Sequence, residues 1–361
     1  MDMRSVIDDH DKRLNNLEGP KTSTPMFAMP DKHPYFTGRE SHLEWMREQL
    51  ESPSVDFVGI CGLGGVGKTS LILQSAWDSQ NIFPGGIYWL TADTGPNDGD
   101  ATIKDSLFGL LTHLQLVPKE SPVSDDMLVD ILNGHFNSLK DRFLVIIDNL
   151  DYEKFSKAIR KLIKGPWVKQ TKSKIVITTR LDENNFPIQE FGSKPILRTL
   201  TSFDPEEGVR FLRLRTELVM DELDAREIVM ELGGLPLALD QCAAYLRACR
   251  TEKLQSYLKK LQERKMKILR KKTALPPSAE VDNSRLAVHS TWSLNMACVE
   301  EEHEQATKVM QTLAFMSPRA IPMSVFNPGS PRLSDEGLAV AMEEDVDEII
   351  HALSKLSLFD R

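Results

Sequence analysis

The chain has 361 residues, 41% apolar and 27% charged, with a formal net charge of −9. That composition is globular rather than disordered, and the length holds two or three domains with a sizeable core. The acidic balance disfavours a dedicated nucleic-acid binder. Cys61, Cys242, Cys249 and Cys298 lack CxxC spacing, and Met1-Asp2-Met3-Arg4 opens no apolar run, so reduced thiols and a cytoplasmic location are expected. No stretch approaches the roughly 20 apolar residues that span a bilayer, so no membrane partner is expected.

Residues 1–34 read as a polar N-terminal segment and linker. Val6, Ile7, Leu14 and Leu17 fall loosely at helical spacing, and Pro20, Pro25, Pro30 and Pro34 then break the chain; the tail of an interaction helix and plain disorder both remain open. From Tyr35 onward, strand-like runs at 57–60, 87–90, 143–147, 174–178 and 195–197 alternate with helical patterns at 68–79, 102–115, 125–140 and 152–163. That alternation predicts an α/β fold, a parallel sheet with helices on both faces. Ser124 and Asp125 are placed to cap the third helix.

Beyond Leu200 the strands stop. Pro205 stands near a helix start, Gly233-Gly234 ends another helix, and residues 238–248 form an apolar face, so a helical domain is expected at 201–275 after an α/β domain at 35–200. Residues 253–272 carry nine Lys or Arg around Leu254, Leu258, Leu261 and Ile268, the pattern of a solvated amphipathic helix. Pro276-Pro277 marks a boundary before a segment at 280–361.

The chemistry is concentrated at Gly62-Leu63-Gly64-Gly65-Val66-Gly67-Lys68-Thr69, which satisfies the phosphate-loop spacing between a strand and a helix. Glycines there permit left-handed or crowded backbone, so successive N–H groups can converge on phosphate oxygens. Lys68 is then a cation for the β- and γ-phosphates, facing solvent until phosphate arrives. Thr69 supplies a hydroxyl to Mg²⁺, and Ser70 an α-phosphate contact. A bound nucleoside triphosphate is expected.

Residues 142–147 form a second apolar strand that delivers Asp148 to the carboxyl edge of the sheet, where ligands of such folds sit. Asp148 is placed to hold Mg²⁺, directly or through water. Asn149 follows where many rapid nucleotide hydrolases place a second carboxylate, and an amide cannot act as that base. Asp151 is either a substitute for it or the cap of a helix beginning at Tyr152. A third strand runs into Thr178-Thr179-Arg180; an arginine just past the strand end can read a γ-phosphate.

Taken in order, Phe36-Thr37-Gly38-Arg39-Glu40, the phosphate loop, Asp148-Asn149, Thr178-Thr179-Arg180 and Gly234-Leu235-Pro236-Leu237 resemble the NB-ARC class of STAND signalling ATPases, of the type that a repeat domain follows. The resemblance spans residues 35–360. It implies that residues 36–39, Phe36 and Arg39 among them, lie along the adenine of ATP or ADP, that Pro236 packs on the base, and that Arg180 reads the γ-phosphate. On sequence alone Gly233-Gly234-Leu235-Pro236 is a helix stop followed by proline at the next helix start.

The resemblance further implies that residues 280–361 are a winged-helix-like segment; the acidic run at 343–348 disfavours a phosphate-facing role there and is equally the pattern of a solvated helix face. It implies a slow ATPase used as a switch, ADP-bound at rest, with ATP exchange promoting self-association and contact with other signalling proteins. The family's methionine-histidine-aspartate motif is not reached and no effector domain is recognised, so a piece of a larger protein is expected. Two other classes stay open: a metabolic or nucleic-acid-directed phosphate-loop enzyme, and a nucleotide-independent scaffold or winged-helix regulator.

Overall fold

A computed structural model describes residues 24–94, 101–118, 124–152, 155–170, 173–249, 253–272, 283–303, 306–313 and 346–358. The readings of residues 1–18, of Pro276-Pro277 and of 343–345 lie outside them. The chain divides into two compact units. The first comprises residues 1–32, 39–62 and 68–199; the second comprises 33–38, 63–67 and 200–361.

The first unit is built on a six-stranded sheet of β1 (Met26–Phe27), β2 (Phe57–Cys61), β3 (Ile87–Thr91), β6 (Leu144–Asp148), β7 (Lys174–Thr179) and β8 (Ile196–Thr199), with a separate antiparallel pair β4 (Asp93–Thr94) and β5 (Ala101–Thr102). Strand order in the large sheet is β1-β3-β6-β7-β2-β8, every neighbour parallel. Successive strand residues point to opposite faces. In β6 all five residues are buried, as they are in β2, so both faces of the sheet are covered, the pattern of near-continuous apolar strands in parallel sheets. The covering helices of this unit are α1 (Glu40–Glu51), α2 (Lys68–Asp78), α3 (Lys104–His113), α4 (Asp125–Ser138), α5 (Lys157–Ile163) and the short α6 (Trp167–Gln170).

The topology follows from that burial. β7 lies between β2, which leads into the phosphate loop, and β6, which ends on Asp148. The register Ile147↔Ile177 and Cys61↔Thr179 therefore brings the ends of three strands to one edge. On one face Tyr88, Phe136, Phe143 and Trp167 form an aromatic cluster with ring centroids 4.7–5.9 Å apart, and the Trp167 Nε1–H donates to buried Asn133 Oδ1 at 2.8 Å.

Local departures from the sequence reading have local causes. The fourth helix starts at Lys157, not Tyr152, because Ser156 caps it by accepting from Ile159 N while Asp151 is engaged elsewhere. Ser124 occupies the N-cap of α4 with extended backbone but makes no side-chain cap bond. Helix α1, strand β1 and the β4–β5 pair were not expected; β1 has two residues, too few for periodicity.

The second unit contains α7 (Pro205–Thr216), α8 (Glu222–Glu231), α9 (Pro236–Ala248), α10 (Leu254–Lys272), α11 (Asn283–Glu302), α12 (Ala306–Leu313) and α13 (Val346–Lys355). Helix α7 opens with a full capping box, Asp204 accepting from Glu207 N and the Glu207 carboxylate accepting from Asp204 N, with Pro205 in the first turn. Helix α8 ends at Gly233 and Gly234, both left-handed at φ 63° and 62°. Gly234 N donates to Val229 O at 2.9 Å, and a Cβ on Gly234 would fall 2.2 Å from Phe203 O. Only glycine fits there. Pro236 then begins α9 at its first turn. Among the described residues no helix is long and apolar enough to cross a membrane.

Candidate phosphate site

In the first unit, Lys68, Thr69, Asp148, Thr178, Asp151 and Arg180 come together at the carboxyl edge of β2, β6 and β7. The sequence folds this way because three apolar runs pair in register, two of them ending on the polar residues Asp148 and Thr179 and the third leading from Cys61 into Gly62. Thr69 Oγ1 lies 3.0 and 3.2 Å from the two Asp148 oxygens and donates to that carboxylate. From the other side the Thr178 hydroxyl donates to Asp148 Oδ1 at 2.5 Å and accepts from Asn149 N at 2.7 Å. Leu150 N adds a bond to Thr178 O at 2.8 Å. Asp148 is thus a buried carboxyl group that accepts from two hydroxyls, as a buried polar group requires.

Lys68 is not solvent-facing, contrary to the sequence reading. It is 7% exposed, and its ammonium donates to Gly62 O at 2.8 Å. Burial pushes the Lys68 pKa below the ordinary lysine value; Asp151 acts most strongly against that fall, Arg180 adds to it, and Asp148 again opposes it. The neighbouring Cys61 thiol is pushed up to about 12, by burial first and then by Glu183. At neutral pH it is a protonated thiol, not a nucleophile.

Asp151 and Arg180 form a pair that sequence reasoning missed. Asp151 Oδ1 accepts from Arg180 N at 2.6 Å, and Asp151 Oδ2 lies 3.1 Å from Arg180 Nε. Asp151 is therefore not a helix cap. Twenty-nine residues separate the two; only the β6–β7 pairing makes them neighbours, and no local pattern carries that. Asn149, the amide in place of a carboxylate, has left-handed backbone at φ 61°. Ser70 is half-buried in the first turn of α2. Arg39 is buried at the N-cap of α1 with φ 68°, and its carbonyl accepts from His42 N and Leu43 N at 2.9 Å each.

The loop residues 63–67 fall in the second unit. Gly65 and Gly67 are left-handed at φ 79° and 93°, Gly64 is not, Val66 is buried and Leu63 is 56% exposed. Within that unit Leu237 N, in the first turn of α9 after Pro236, donates to Gly65 O at 3.1 Å. A Cβ on Gly65 would fall 2.9 Å from Leu237 Cβ, so this position needs glycine for both its φ and its close neighbour. Phe36, half-buried, donates from its N to His33 O at 3.2 Å.

The donor set fits Mg²⁺. Two hard oxygens at adjacent corners of an octahedron lie about 2.9 Å apart when each is about 2.05 Å from the ion; Thr69 Oγ1 and Asp148 Oδ1 are 3.0 Å apart. Among the described residues no cluster of three or more His, Cys, Asp or Glu could hold a metal by itself.

Comparison with known proteins places these features in a family. Residues 39–216 match the NB-ARC domain model. A "nucleotide-binding leucine-rich repeat (NLR)-like protein" of Hyaloscypha variabilis is 22% identical over 340 residues, covering 84% of this chain and 32% of the relative. The chain thus spans about a third of that relative's length. Among solved structures, a Walker-type ATPase of Pyrococcus abyssi is similar with TM-score 0.48 at 15% identity, covering 91% of this chain and 92% of that one. Cdc6p of Pyrobaculum aerophilum is similar with TM-score 0.42 at 14% identity, covering 64% of this chain and 65% of that one.

Proposed function

Because the chain belongs to the NB-ARC family through residues 39–216 and carries its nucleotide-binding phosphate-loop domain, we propose that it is a nucleotide-operated switch. ADP is held at rest; exchange for ATP promotes self-association and contact with other signalling proteins in an immune or cell-death-like role. The observation that carries this reading is the convergence of Thr69 and Asp148 on one another at 3.0 Å beside buried Lys68. The name of the Hyaloscypha relative supports the signalling class.

In this proposal the backbone of residues 62–67 and Ser70 cradle the phosphates, Lys68 leaves Gly62 O for the β- and γ-phosphates, and Arg180 turns to the γ-phosphate. Thr69 and Asp148 hold Mg²⁺, which when bound neutralises phosphate charge. Phe36 and Arg39 lie along the adenine and Pro236 packs on the base, roles drawn from the family. Lys68, Asp148 and Arg180 serve a slow hydrolysis that resets the switch, slow because Asn149 offers no carboxylate to activate water. The domain assignment is a polar segment at 1–34, the nucleotide domain at 35–200, a helical domain at 201–275 and a winged-helix-like segment at 280–361, in a cytoplasmic protein.

Magnitudes limit what one residue does. Taking a switch from 1:99 to 99:1 needs about 5.5 kcal/mol of differential binding, and a hydrogen bond to a charged group gives about 1.5–3 kcal/mol. Arg180 cannot throw the switch alone; Mg²⁺ contacts, domain repacking or association contribute. Titration with a fluorescent ADP in the presence of Mg²⁺ tests the reading. Saturable binding that is lost when Mg²⁺ is chelated and weakened in Asp148→Asn supports it; equal binding by Asp148→Asn, or none by the native chain, overturns it.

A further inference from the structure

The pairing of Asp151 with Arg180 belongs to no step of the proposed nucleotide cycle. It is nevertheless built with care. Asp151 is 11% exposed and Arg180 65% exposed, so the carboxylate is fixed in the fold while the guanidinium reaches outward. One Asp151 oxygen is bound to the backbone N of Arg180 and stays bound wherever the side chain goes. The other holds Nε at 3.1 Å and is the one a swinging guanidinium would leave. Asp151 N itself is turned back onto Asn149 O at 3.0 Å, and Asn149 N and Leu150 N are tied to Thr178. The carboxylate therefore sits on a loop stitched to both strands of the site. Among the described residues Arg180 meets no other carboxylate within ion-pair distance.

We propose that Asp151 is a positioning residue that sets the preference between nucleoside di- and triphosphate, by competing with the γ-phosphate for the guanidinium of Arg180. The proposal rests on the nucleotide reading given above. With a diphosphate bound, nothing displaces the pair, and Arg180 stays on Asp151. A γ-phosphate offers the guanidinium more negative charge and more acceptor oxygens than one carboxylate does, so it takes the arginine over. Part of the gain from each ATP contact with Arg180 is then offset by the broken pair. The bias is modest, since the guanidinium is largely exposed and such pairs are weak. Asp151 also acts on Lys68 more strongly than any other carboxylate, which places its charge beside the same phosphates.

The test is a double-mutant cycle on the full chain, with Asp151→Asn, Arg180→Gln and the double variant. The readout is the ratio of affinities for the β,γ-imido analogue of ATP and for ADP, both with Mg²⁺, by displacement of fluorescent ADP. Asparagine keeps an acceptor for Arg180 N and puts an uncharged NH2 in place of the oxygen that faces Arg180 Nε. Asp151→Asn is expected to raise the ratio about five-fold, the upper end for an exposed ion pair, and to leave it unchanged on the Arg180→Gln background. A ratio equal to the native one overturns the proposal. So does an equal rise with and without Arg180, because a purely structural or long-range charge effect would not need the arginine. Failure of the native chain to bind either nucleotide would instead sink the nucleotide reading itself. Thermal melting of each variant separates a lost fold from a shifted ratio.

Discussion

The two ends of the sheet in the first unit each bury a lysine, and the contrast between them separates structure from function. At the amino edge, Lys174 opens β7 and its ammonium donates to Ser52 O and Val55 O, while Arg142 donates to Leu50 O. These carbonyls lie at and beyond the C-terminus of α1, where unsatisfied oxygens and the helix dipole favour cations. At the carboxyl edge, Lys68 opens α2 and its ammonium donates to Gly62 O, with Asp151 and Asp148 near enough to oppose the fall in its pKa. The first ammonium is held by two backbone carbonyls, with Asp56 the carboxylate that acts on it; on the second, two carboxylates of the strand ends act. A buried lysine by itself marks no site, and the company it keeps decides.

Several substitutions break or sharpen this contrast. The largest effect on stability is expected at the amino edge: Lys174→Ala leaves two buried carbonyls without their donor, at about 1–3 kcal/mol each, so urea unfolding should show a loss of about 2–4 kcal/mol while the nucleotide affinity of the folded fraction is unchanged. The mirror outcome is expected at the carboxyl edge. Lys68→Met should lower nucleotide affinity roughly 100-fold by loss of charge-assisted bonds to phosphate, yet change stability by no more than about 1 kcal/mol, because removing a desolvated charge offsets one lost carbonyl bond. A large stability loss in Lys68→Met with unchanged affinity would reverse the two assignments.

The pH dependence is a smaller effect with a definite sign. Burial first, then repulsion from Arg142, brings Lys174 from its ordinary value of 10.5 down to about 8, with Asp56 acting against the fall. Between those values the unfolded chain binds more protons at this residue than the folded chain, so its contribution to stability increases with pH. The stability of the native chain relative to Lys174→Met should therefore widen from pH 8 to 10.5. The total runs the other way above pH 9, where buried Cys61 and Cys242, both pushed up to about 12, keep protons that the unfolded chain releases. The difference between native chain and variant removes those shared terms. A gap that narrows with pH would contradict the geometry at Ser52 and Val55. The smallest effect is expected at Ser156→Ala, where losing the bond to Ile159 N at 3.3 Å should cost about 1 kcal/mol and leave both edges of the sheet untouched.

What the sequence disclosed and what it withheld follow one physical division. Runs such as 143–147 and 175–177 are buried on both faces, so each residue is apolar and the strand declares itself before any pairing is known. Gly65, Gly67 and Gly234 were equally legible, because a left-handed φ or a neighbour under 3 Å from a would-be Cβ constrains residue type locally. Contacts made by register were not legible. Nothing in residues 149–152 announces that Asp151 will meet Arg180 rather than cap a helix, and nothing around Lys68 announces that Gly62 O will draw its ammonium inward. Strand β1 and helix α1 escaped for the opposite reason: β1 is two residues long, and α1 buries only Met46 and Leu50, too few to impose a pattern.

The central claim is that the carboxyl edge of β2, β6 and β7 holds a nucleoside polyphosphate. The most direct measurement denatures the purified chain and identifies any released nucleotide by mass spectrometry, beside the same preparation of Lys68→Met. The account predicts close to one ADP or ATP per native chain and little from the folded variant. A native chain that releases none and takes up none when ADP and Mg²⁺ are added, or a folded Lys68→Met that releases as much as the native chain, would contradict it.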